Sequence, residues 1–196
     1  MRQELIDLRT RMQQTGVDAY IIPTTDFHGS EYVNDYFKCR KFLSGFTGSA
    51  GTVVVTPEEA WLWTDGRYFL QAADQLADSG IGLMKIGQPG VPTIDAYLKE
   101  KLTPENTIGF DGRVCDYAFG CKLESICKVN YELDLVGDIW KDRPAIKPSK
   151  IYGLSSSVTG ETAGSKLARV RSYMEKKGAD YHLITKLEEI AWLFNV

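Results

Sequence analysis

The sequence predicts an α/β fold: a mixed β-sheet with helices packed on it, followed by the start of a second, similar domain. Three observations lead there. Amphipathic helical segments alternate with short β-rich runs over residues 1–140. A hairpin pattern at 52–64 forces at least one antiparallel pair into a sheet that simple alternation would make parallel. The opening pattern then returns after a polar stretch with two prolines at 141–150.

Leu5, Leu8 and Met12 recur at helical spacing, and Gly16 stands where a left-handed cap belongs. Residues 17–22, VDAYII, read as a buried strand ended by Pro23. Residues 52–56 and 60–64 are β-rich runs joined by Pro57, Glu58 and Glu59, with proline opening the turn. Asp65 caps a helix expected to run to about Ala77, before Gly80. A strand is expected at 82–86 and a helix from Thr93 to near Lys101. A strand at 107–110, a helix at 116–128 and a strand at 131–136 complete the first unit. The expected domains are therefore 1–140, a linker at 141–150, and the beginning of a second domain at 151–196.

A shift of 162 positions places Leu5 on Leu167, Arg9 on Arg171, Met12 on Met174, Gly16 on Gly178, Asp18 on Asp180 and Ile22 on Ile184. Both segments read as helix, glycine stop and buried strand, which points to internal duplication. A short helix is expected at 187–194. This second unit has too few elements to cover its apolar face with a full sheet.

Composition narrows the function classes. In 196 residues the net charge is −3, which gives no basic field for nucleic acid. No apolar run approaches the roughly 20 residues that span a bilayer, and the charged N-terminus lacks a signal-peptide centre. The expectation is a cytoplasmic protein with no nucleic-acid or membrane partner. Its four cysteines, Cys39, Cys115, Cys121 and Cys127, are then reduced thiols. The last three are spaced by six, neither a zinc nor a redox spacing.

The glycine-rich loop at 44–52 is not a phosphate cradle. Gly45, Gly48 and Gly51 precede a strand, whereas dinucleotide fingerprints follow a strand and open a helix. Thr47 also stands where a nucleophile elbow needs glycine ahead of Ser49. His28 lies three residues before Glu31, but one such pair with Gly29 between them is no metal site. Arg67 sits at 65–68, DGRY, where a strand turns into a helix. Its guanidinium offers a fork of donors to a carboxylate or carbonyl oxygen. From the residues alone, pairing with Asp65 is the favoured reading.

Five separated words change that balance: HGSEY at 28–32, SGFTGSAGT at 44–52, LWTDGRYFLQA at 62–72, IWKDRP at 139–144 and EEIAWLFN at 188–195. In this order they resemble the N-terminal region of cytosolic Xaa-Pro aminopeptidases, metallopeptidases of the creatinase and prolidase family. The resemblance implies a creatinase N-terminal, ribonuclease H-like fold and a substrate-gating and assembly role. The intact enzyme would remove the first residue of peptides with proline second, as a homodimer with two divalent metal ions, manganese by family habit. Its catalytic and metal-binding residues would lie in a later domain, so none is assigned here. The resemblance implies substrate contact by Arg67, with His28 and Tyr68 as secondary candidates. Tyr32, Phe46 and Trp63 lie in the same words, and Arg40 lies shortly before the second of them, all as interface or core residues. Two alternatives stay open: a non-catalytic binding module like that in the large subunit of the FACT histone chaperone, or the front domain of a prolidase.

Overall fold

A computed structural model describes residues 1–196, which divide into two compact units, Met1–Ile146 and Lys147–Val196. The first unit is built on a six-stranded mixed sheet: β1 (Ala19–Ile22), β2 (Thr52–Val55), β3 (Ala60–Thr64), β4 (Gly82–Lys85), β5 (Thr107–Phe110) and β6 (Lys128–Asn130). The order across the sheet is β4-β3-β2-β1-β5-β6. The β2–β3 hairpin is antiparallel with Val53 opposite Leu62, and β2 also lies antiparallel to β1. The pairings β1–β5, β3–β4 and β5–β6 are parallel.

Period-two alternation sends side chains to opposite faces of this sheet. Tyr20, Ile22, Val53, Val55 and Leu62 face one side. There they meet Leu5, Leu8 and Met12 of α1 (Gln3–Thr15), Leu43 of α2 (Cys39–Ser44), Ala72 of α3 (Phe69–Gln75), and Leu135 and Val136 of a later helix, Leu135–Ile139. Ile21, Val54, Trp63, Ile108 and Phe110 face the other side. Tyr97 and Leu98 of α4 (Ile94–Lys101) and Leu123 of α5 (Tyr117–Glu124) cover them. The helix Leu135–Ile139 is α6.

Four expectations are corrected. Residues 131–136 are not a strand: β6 ends at Asn130, and Asp134 instead caps α6 by accepting a bond from Gly137 N at 2.8 Å. The helix after Asp65 starts as a 3-10 turn, Gly66–Tyr68, and α3 ends at Gln75. The duplicated strand after Gly178 does not form, because the second unit offers no neighbouring strand to complete a hydrogen-bonded ladder. The helix expected at 116–128 ends at Glu124, because Lys128–Asn130 pairs with β5 as β6; α2, β6 and α6 are elements the sequence did not announce.

The second unit consists of α7 (Ser156–Thr159), α8 (Ala163–Lys177) and α9 (Leu187–Phe194). Its cap repeats that of α1. Gly16 and Gly178 have φ of 69° and 64°. Val17 N and Ala179 N donate to Met12 O and Met174 O, each at 3.0 Å. Lys166 is buried and donates to Trp192 O and Asn195 Oδ1, both at 2.7 Å. Tyr173, Tyr181, Leu183 and Trp192 are exposed.

Candidate functional site

The strand-end turn after β3 holds Arg67. Asp65 has extended backbone, φ −90° and ψ 174°, and its Oδ1 accepts Arg67 N at 3.0 Å. The same carboxylate takes Arg67 Nε at 2.9 Å and one terminal nitrogen, Nη2, at 2.9 Å. This two-point grip is the pairing anticipated from the residues alone. It also fixes the fork in place, since a bidentate arginine has little rotational freedom left. Asp65 holds the Arg67 guanidinium well above its ordinary pKa, by hydrogen bonding first and charge second. The side chain stays 60% exposed, and its Nη1 lies 3.8 Å from Glu31 Oε1.

A cleft of about 880 Å3 opens beside this turn. Arg67, His28, Glu31 and Ser49 line it, together with Arg113 and Asp116 from beyond β5. The 26–30 loop is shaped by Asp26, buried, whose Oδ1 accepts His28 N at 2.8 Å and Ser30 N at 2.9 Å. Arg67 and His28 therefore line one cavity. Tyr68 does not line it. The Tyr68 hydroxyl instead bonds Ser49 Oγ at 2.8 Å, a contact that lowers its pKa.

The glycine loop is held from below by Arg40. This side chain is 4% exposed and donates to Phe46 O at 3.1 Å, to Gly48 O and to Thr24 Oγ1. Its guanidinium lies 4.6 Å from the Phe46 ring centre. Burial pulls its pKa down to about 10, so it remains a cation at neutral pH. A Cβ at Gly48 would come within 2.8 Å of the Tyr68 ring and also collide with Phe46. Glycine is required there for close approach. Phe46 and Trp63 are core residues, while Tyr32 is exposed.

The residue that sequence reasoning missed is Arg113. A second Asp-Gly-Arg triplet, Asp111–Gly112–Arg113, follows β5. Its geometry repeats that of the first: Asp111 Oδ1 accepts Arg113 N at 3.0 Å and Nε at 2.9 Å, and Oδ2 accepts Nη2 at 2.8 Å. The repeated triplet was visible in the sequence.

No three His, Cys, Asp or Glu side chains converge to hold a metal ion. The donor set of this chain does not fit a dinuclear metal centre. All four cysteines are free thiols. No helix is long and apolar enough to cross a membrane.

Fold and cleft together define a mixed α/β domain whose arginine-bearing cleft sits at the ends of its strands, with a smaller helical unit after it. The chain belongs to the creatinase/prolidase N-terminal domain family: one family model matches residues 5–143 and a second of the same description matches 142–196. It is 43% identical to aminopeptidase P2 of Arabidopsis thaliana, over 92% of this chain and 26% of the relative. It is 36% identical to Xaa-Pro aminopeptidase 1 of Dictyostelium discoideum, over 96% of this chain and 32% of the relative. The crystal structure of X-prolyl aminopeptidase from Caenorhabditis elegans, described as a cytosolic enzyme with a di-nuclear active site, superposes with a TM-score of 0.88 at 36% identity. That match covers 98% of this chain and 34% of the other. The chain thus spans about a third or less of these relatives. An Xaa-Pro dipeptidase from Bacillus anthracis, 18% identical with a TM-score of 0.52, shares the fold.

Proposed function

We propose that this chain is the substrate-gating and assembly region of a metal-dependent Xaa-Pro aminopeptidase, which removes the first residue of peptides with proline second. The carrying observation is the identity to such enzymes across both units, together with an arginine held rigid and exposed on a cleft wall. Arg67 offers Nη1, which donates no hydrogen bond within the chain, to a carbonyl or carboxylate oxygen of the bound peptide. His28 and Glu31 shape the same wall. In this reading the parent enzyme is cytoplasmic and homodimeric. Two divalent metal ions, manganese by family habit, would activate water and polarise the scissile carbonyl outside these residues.

Assembly follows if Arg67 serves the active site of the partner subunit. The test mixes Arg67→Ala subunits of the intact enzyme with subunits lacking functional metal ligands. One type of mixed site then combines an intact metal centre with an intact Arg67, and activity returns. A mixture that stays inactive, although mixed dimers form, contradicts service across the interface. If Arg67→Ala alone leaves turnover of Xaa-Pro peptides unchanged, the substrate role itself falls.

A further inference from the structure

Arg113 has no role in the reading above, yet its surroundings match those of Arg67 closely. Both arginines follow a sheet strand within an Asp-Gly-Arg turn, β3 for one and β5 for the other. Both are clamped through Nε and Nη2 by the preceding aspartate. Both remain more than half exposed, 60% for Arg67 and 52% for Arg113. In each, Nη1 donates to no acceptor in the chain: Arg67 Nη1 reaches only a 3.8 Å ion pair with Glu31, and Arg113 Nη1 has no partner. Both side chains line the same cleft.

Two guanidinium groups held this way act as preorganised donors. The aspartates absorb the cost of ordering them, and each keeps one nitrogen free to bind. The charge balance selects the ligand. Asp65 and Asp111 already offset the two positive charges, Asp134 accepts a further bond from Arg113 Nη2 at 3.0 Å, and Asp26, Glu31 and Asp116 add negative charge to the lining. A multiply charged anion such as a nucleotide phosphate would meet more repulsion than attraction. A short zwitterionic peptide fits better: one carboxylate and several carbonyl oxygens for the arginines, and one ammonium for the acids. The cleft volume of about 880 Å3 lies within the range of about 300–1,000 Å3 usual for small-ligand sites.

We propose that Arg113 is a second peptide-binding residue, which together with Arg67 holds the acceptor oxygens of one short zwitterionic peptide across this cleft. The proposal rests on the peptide-binding reading of Arg67 and adds a second anchor to it. An extended peptide gripped at two points is fixed in direction as well as position, so the pair would favour peptides short enough to place a carboxyl end between them.

The test uses the 196-residue chain with 15N-labelled arginine side chains. The Nε–H resonances are assigned through Arg67→Lys and Arg113→Lys. The probe is Ala-Pro-Ala, titrated with a free C-terminal carboxylate and then as its C-terminal amide. Both resonances should move with one shared midpoint. Loss of a charge-assisted bond should make binding of the amide about ten- to a hundredfold weaker. Arg113→Lys should weaken binding of the free acid about tenfold while leaving thermal unfolding of the chain near the original. If Arg67 moves and Arg113 does not, the second anchor is refuted while the role of Arg67 survives. Different midpoints refute a single shared ligand, and equal binding of acid and amide refutes carboxylate recognition. If neither resonance moves at millimolar peptide, two-point binding is refuted, and the kinetics of the intact enzyme decide the role of Arg67 separately. The wild-type titration stands even if a variant fails to fold.

Discussion

Arg40→Ala should unfold the first unit far more readily than Arg67→Ala. Truncating Arg40 leaves Phe46 O, Gly48 O and the Thr24 hydroxyl without their donor in a buried site. Each buried carbonyl left unpaired costs about 1–3 kcal/mol. Loss of the cation over the Phe46 ring adds about 1 kcal/mol. Against this, the variant no longer buries a charge, a cost visible in the lowered pKa of Arg40. The net loss should be about 4 kcal/mol, or a Tm drop of roughly 10–15 °C. Arg67 is largely exposed and bonds only a carboxylate at the surface, so its removal should cost less than about 1 kcal/mol. Urea unfolding followed by tryptophan fluorescence reads both, because Trp63 is buried in the first unit. A loss below about 1 kcal/mol for Arg40→Ala would refute the claim that this side chain holds the glycine loop.

Limited proteolysis should cut first within 141–155 or in the second unit, leaving residues 1–140 resistant; early cleavage inside the β2–β3 hairpin would contradict the division. Thiol alkylation should modify the exposed Cys121 first and Cys39 and Cys115 late, since burial raises their pKa to about 11 and about 12. Bonds from Arg169 and then Ser165 hold the Glu161 carboxyl at about 2, below its usual value of about 4.3. Its stabilisation of α8 is therefore complete above about pH 4.3 and fades as pH falls toward 2, which a carboxyl-carbon NMR titration follows.

Much of the fold was legible because burial follows period. The alternation of Val53, Val54 and Val55 sets the two sheet faces, and Pro57 to Glu59 marks the hairpin turn. The glycine stops at 16 and 178 gave both caps. What escaped was short or polar. The helix α2 has six residues, too few for periodicity to register, and its buried Arg40 reads as a surface residue until its three acceptors are seen. The strand β6, Lys-Val-Asn, has no β-rich run and exists because β5 supplies a ladder. Residues 131–136 looked like a strand because Tyr131, Leu133 and Leu135 alternate, but Asp134 between them starts a helix. For the cleft, the sequence displayed Arg67 and His28. That residues after β3 and β5 line one cleft depends on sheet order, which no local pattern encodes.

The proposed contact of Arg67 with a bound peptide carries the functional reading. Its most direct test is kcat/KM for an Xaa-Pro-Xaa peptide in the intact enzyme carrying Arg67→Ala, measured beside its thermal unfolding. Loss of one charge-assisted bond should lower kcat/KM by roughly ten- to a hundredfold with Tm nearly unchanged. An unchanged kcat/KM, or an activity loss fully accounted for by unfolding, would contradict the claim.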